Sequence, residues 1–355
     1  MRRLHRILPF VLITGIAAAA CGAAELAAPR IALRQAAAQV ANAPRSSFTL
    51  SFSGQEADAV ALFSEGEQEV TDEDRKHMAT LFRSRLAMVF DQGADRDDPK
   101  DDASDVDLRI GHIEHAIQSR QVDGKLYARA DVRNLVNLFG GSTADVDAFL
   151  RDSKDMGLDF LPGAVDGGWL ALDIAPLESF FKGLAKSTGD DMFGGFDPTN
   201  IDAGVLQPLI SAVAGAYGSD VEVERLSADD SGQHYRLAAS ARRLYERLLP
   251  ELKKLPMLKG LGEDEFPPAA DVPDQRYELD VWVADRTITR AEFNLSQLVP
   301  ADRRPGPVTL RVDVNGRPDG IAAPGKSELI DIFEIWGNLM GSFTAGADEE
   351  EADFD

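Results

Sequence analysis

Along Ser46 to Gly54, SSFTLSFSG, the apolar residues Phe48, Leu50 and Phe52 alternate with polar ones. That period of two predicts a half-buried antiparallel strand. Leu86, Met88 and Phe90 alternate in the same way. Strands are also expected over Val106 to Ile110, Ile113 to Val122 and Lys125 to Ala130, the last two joined by Asp123-Gly124, a favoured hairpin pair. Further strands are read at Trp169 to Asp173, Val221 to Leu226 and His234 to Ala239. Tyr277 to Ala284, Ile288 to Leu295 and Val308 to Val314 read as a meander, the first two flanking the turn Asp285-Arg286-Thr287. Helical spacing appears at Ile31 to Ala41, whose small face suits a sheet, and at Thr71 to Ser84, opened by the cap TDED. Asp131 caps DVRNLVNLF, and helices follow near Ala144 to Asp155, from Pro176, near Val205 to Tyr217, at ARRLYERLLPELKKL and over Glu328 to Leu339. The pattern is α+β, with an antiparallel sheet and covering helices.

Asp91 to Ser104 carries eight charged residues in fourteen and reads as a solvated loop. Its aspartates lack the glycine and closing glutamate of an EF-hand loop. Ser187 to Asn200, STGDDMFGGFDPTN, is rich in turn formers and is the best internal boundary, or a lid. A strand running almost directly into a helix recurs as KLYARADVRNLVNLF, WLALDIAPLESFF and HYRLAASARRLYERL. The recurrence hints at two related halves of one domain, residues 31–344, split near 187–203. Residues 345–355 form an acidic tail expected to be disordered.

The beginning of the chain changes this picture. Arg2, Arg3 and Arg6 precede an uncharged run from Ile7 to Ala20, and Ala18, Ala19 and Ala20 lead into Cys21. This is the pattern of a secretory signal over residues 1–20, and its 14 apolar residues fall short of the roughly 20 that span a bilayer. Cys21 is the sole cysteine, so an exported body cannot lean on disulfides. Removing the three signal arginines takes the formal charge from −23 to about −26, which disfavours nucleic acid and anionic headgroups as partners. A bound lipid would have to be gripped by its tails.

The alanines before Cys21 resemble the lipobox of bacterial lipoproteins, in which the cysteine is acylated with fatty chains such as palmitate and begins the mature chain. Residues 21–30 then form a lipid-anchored tether at the extracytoplasmic face of the membrane. With SSFTLSFSG after the first helix, QVDGKLYARAD, GGWLALD, YELDVWVADRTITRAEFNL and NGRPDGIAAP, the chain resembles the LppX/LprG-type lipid-carrier lipoproteins of actinobacteria. The likeness extends more distantly to the LolA/LolB factors. It implies a strongly curved antiparallel half-barrel whose concave face is covered by helices, with a hydrophobic cavity between them. The helices of residues 131–217 have no counterpart in those families.

A gap between such a sheet and its helices is apolar and accepts acyl chains. Leu135, Leu138, Phe139, Phe149, Phe180 and Phe181 on the covering helices are the candidate lining residues. Catalytic chemistry is not evident. Gly320 to Ser327, GIAAPGKS, fits the phosphate-loop spacing, but a turn precedes it, and it reads as a turn capping the final helix. His112, Glu114 and His115 lack zinc-site spacing, and no serine sits in a GxSxG turn. No enzyme, metal or cofactor is therefore expected. The leading expectation is a membrane-anchored lipoprotein that binds or carries a hydrophobic ligand. A solid-cored interaction lipoprotein and an exported hydrolase are the rivals.

Overall fold

Phe48, Leu50 and Phe52 of β1 (Arg45–Gly54) share one side of a sheet and pair in register with Val314, Val312 and Leu310 of β11 (Val308–Asn315). The serines and threonine between them take the other side, as the period of two requires. The structure is a computed structural model that describes residues 28–64, 70–93, 101–155, 158–176, 179, 220–253, 266, 268–272, 274–331 and 333. The fold is α+β with mostly antiparallel strands, and it divides into two compact units that interleave in sequence. The first comprises Met1–Phe82 and Gly189–Pro318, the second Arg83–Thr188 and Asp319–Asp355. The expected boundary stretch at 187–203 lies outside the described residues.

In the first unit the strand order is β1-β11-β10-β9-β8-β7, where β7 is Val221–Arg225, β8 is Gln233–Ser240, β9 is Arg276–Ala284 and β10 is Thr287–Asn294. Asp285 and Arg286 both hold positive φ, at 49° and 61°, so a two-residue turn joins β9 to β10. This matches the right-handed strand twist. Helix α1 (Ala28–Ala41) lays Leu33, Ala36, Ala37 and Val40 on the inner face, and small residues let the helix approach the strands closely. Helix α2 (Glu56–Phe63), not foreseen from the sequence, supplies Phe63, and α3 (Asp72–Phe82) supplies Phe82. Both rings pack on Phe52, at 5.8 and 6.3 Å between centroids. Helix α7 (Ala241–Leu252) starts directly after β8 and buries Leu244 and Leu248 in the same core. That core holds eighteen buried side chains among the described residues, including Leu237, Val281, Phe293 and Val308.

The second unit runs β2-β3-β4-β5-β6-β12. Here β2 is Arg85–Asp91, β3 Ala103–Ile110, β4 Ile113–Val122, β5 Lys125–Ala130, β6 Leu170–Asp173 and β12 Glu328–Leu329. Asp123 and Gly124 both take positive φ, 53° and 70°, the hairpin geometry expected of that pair. Asp131 caps α4 (Val132–Leu138) through its carboxylate and the Asn134 amide. Helix α5 (Thr143–Asp155) and the short α6 (Leu161–Val165) complete a small cluster around Val146, Leu150 and Val165.

One expected helix begins differently. Glu328 and Leu329 pair parallel with Leu170 and Ala171. The Glu328 amide donates to the Trp169 carbonyl at 2.9 Å and the Ile330 amide to Ala171 at 2.8 Å. These bonds satisfy backbone groups of β6 that a helix beginning there would have left open. GIAAPGKS therefore leads into a strand, and the phosphate loop's required helix is missing from its place.

Candidate functional site

The register of the second unit sorts its side chains into two faces of contrasting chemistry. One carries Leu86, Met88 and Phe90 of β2, Val106 and Leu108 of β3, Ile117 of β4, Leu126 of β5 and Leu170 and Leu172 of β6. Ser104, Ser119 and Gln121 are the polar members of this face, and the row Leu86, Leu108, Ile117 and Ala130 is apolar on every strand it crosses; none of the large apolar residues is buried. Phe90 is 40% exposed and Ile117 47%. Of the eight exposed large hydrophobics among the described residues, all but Ile31 and Leu81 belong to the second unit. Exposed large apolar side chains thus concentrate in the second unit.

The opposite face is polar and better covered. On β4 the buried positions are Ile113, Ala116, Gln118 and Val122, so the strand buries an amide at 5% exposure and exposes its neighbour Ile117. Burial of Gln118 is tolerable because its hydrogen bonds are made. Its Nε2 donates to Asp105 Oδ1 at 2.9 Å, and its Oε1 accepts from Arg129 Nε and Nη2 at 2.9 and 2.6 Å. Arg120 binds Asp105 at 2.6 Å and donates to the Ala322 carbonyl at 2.7 Å. Val122, Tyr127 and Ala171, with Trp169 and Ile321 packed on them, close the apolar end of this face.

Of the residues predicted to line a cavity, Leu135 and Leu138 on α4 are half-buried. Phe139 and Phe149 stand 57% and 51% exposed. The apolar stripe of α5 turns Val146 and Leu150 inward instead. Phe180, Phe181 and Cys21 lie outside the described residues. The apolar sheet face was not singled out from the sequence, although its signal was present in the alternation of β2 and of LALD in β6. Among the described residues no three metal-ligating side chains converge. His115 Nδ1 sits 2.6 Å from Asp107 Oδ2, and Glu114 pairs with Arg109 at 2.8 Å.

No described helix is long and apolar enough to cross a membrane. No protein-family model matches the chain, and no curated protein matches it in sequence. Among solved structures it is similar to the crystal structure of the Mycobacterium tuberculosis lipoprotein LppX, with 8% identity and a TM-score of 0.31 over 82% of this chain and 96% of that one.

Proposed function

We propose that this chain is an exported lipoprotein, tethered to the membrane through acylated Cys21, that binds or carries a hydrophobic ligand, a lipid, on the apolar face of its second unit. The observation that carries the reading is that face itself, where Ile117 and Phe90 remain substantially exposed. Exposed apolar side chains gathered on one sheet face form a candidate binding surface. Each methylene a ligand withdraws from water there contributes roughly 0.8 kcal/mol before the cost of ordering it. Under this reading the sheet curves and helices cover its concave side, leaving room for acyl chains. The segment before Cys21 and the sequence resemblance to lipid-carrier lipoproteins support export and anchoring. The protein then acts without catalysis, as a holder of its ligand.

The test is native mass spectrometry of the anchorless chain, residues 22–355 exported behind a cleavable secretory signal. A co-purifying lipid, displaced by a hydrophobic fluorophore, is the expected result. A chain that carries no lipid and takes up no fluorophore sinks the carrier reading in favour of a solid-cored interaction protein. Labelled palmitate that never appears on the intact chain, or a Cys21→Ser form held as firmly by envelopes as its parent, sinks the anchor.

A further inference from the structure

We propose that the end-on edge of the Arg129 guanidinium, held beside Trp169, is a binding site for a phosphate group. Arg129 of β5 stands across from Gln118 of β4. Its Nε and Nη2 both donate to Gln118 Oε1, at 2.9 and 2.6 Å, and its Cζ lies 4.7 Å from the centre of the Trp169 ring. These contacts occupy the inner edge and one face of the guanidinium. Nη1 and the second Nη2 hydrogen have no acceptor among the described residues. That leaves two donors side by side in the geometry that grips an oxyanion bidentately.

The charge beside it is already engaged. Asp105 takes two donors of Arg120, at 3.0 and 2.6 Å, and Arg120 shares the Trp169 ring at 5.3 Å. Asp107, in the same row as Gln118 and Arg129, pairs with His115, and its other oxygen is buried without a hydrogen bond, so it does not reach Arg129. A half-buried guanidinium thus keeps an uncompensated charge in a chain with 60 acidic and 37 basic residues. An oxyanion offsets that desolvated charge, and a side chain already fixed by an amide and an indole loses little freedom on binding it. The site lies on the face opposite Ile117 and Leu126, so it goes beyond the lipid reading and does not depend on it.

Wild-type chain is titrated at constant ionic strength with inorganic phosphate, with phosphatidylglycerol vesicles and with phosphatidylcholine vesicles, following tryptophan fluorescence. A saturable change with phosphate, with phosphatidylglycerol or with both, and none with phosphatidylcholine, is expected. Phosphate alone identifies a free anion as the ligand, phosphatidylglycerol alone a headgroup. Arg129→Gln weakens the response at least tenfold, while Arg151→Gln, an exposed arginine of α5, leaves it unchanged. Arg129→Lys, which keeps the charge but not the fork, also weakens it and carries the test if the glutamine variant fails to fold. Uptake of a hydrophobic fluorophore is unaltered by either Arg129 change, which separates this site from the apolar face. Silence toward both anions, or equal responses in wild type and the Arg129 variants, overturns the proposal.

Discussion

Ile117 on β4 stands directly across from Leu108 on β3, on the apolar face of the second unit, and keeps 47% of its surface exposed. The pair lies in the middle of the row that begins with Leu86 on β2. An aspartate at position 117 puts a charge where an acyl chain would lie. Ile117→Asp is therefore expected to lower uptake of a hydrophobic fluorophore at least tenfold, while costing no more than about 1 kcal/mol of stability because the site is already half in water. A fluorophore titration beside a urea melt measures both. Unchanged uptake removes this face as the ligand site.

Leu237 on β8 supplies the converse case. It is 3% exposed within the core of the first unit. Truncation to alanine loses transfer energy and leaves a void, so Leu237→Ala is expected to cost about 2–5 kcal/mol. Thermal or urea denaturation reads the loss, and a cost below about 1 kcal/mol would mean that the core packs loosely.

Gly232 closes the hairpin before β8 with φ +123°, bonded in both directions to Asp229. A Cβ there would meet the Val283 carbonyl oxygen at 2.4 Å. The clash is with backbone, which cannot swing away, and the dihedral is one that glycine alone adopts easily. Gly232→Ala is expected to destabilise by about 1–3 kcal/mol, visible as a lowered midpoint in denaturant.

Asp229 links that turn to the sheet. It accepts from the Ser231 amide at 2.7 Å and from Trp282 Nε1 at 2.8 Å, and these two donors hold its carboxyl below the ordinary aspartate range. A pKa lowered by folding means that the native state favours the carboxylate. The resulting stabilisation is full above the unfolded value of about 3.9 and fades as pH falls through the lower folded one. Asp229→Asn is therefore expected to melt below wild type near neutral pH, with the gap narrowing below about pH 4. A gap that is constant with pH contradicts the assignment.

The strands and most helices were legible because their signals are local. Alternation marked β1 and the meander of β9 to β11, and Asp123-Gly124 marked its hairpin. Helix α2, seated behind β1, was missed, because its apolar pattern spans only eight residues. Glu328 and Leu329 defeated the local reading for a different reason: their partner, β6, lies far back in the chain.

By itself the sequence determined which residues share a face, since a period of two is a property of the backbone. Whether a given face is covered was decided only in three dimensions. Ile117 and Gln118 are neighbours, and local chemistry would bury the first and expose the second; the structure does the reverse. The hydrogen bonds of Gln118 are completed by Asp105 and Arg129 on the adjacent strands, while Arg120 on the same face reaches the carbonyl of Ala322, far along the chain. Burial depends on segments remote along the chain, and periodicity carries no information about where those segments return.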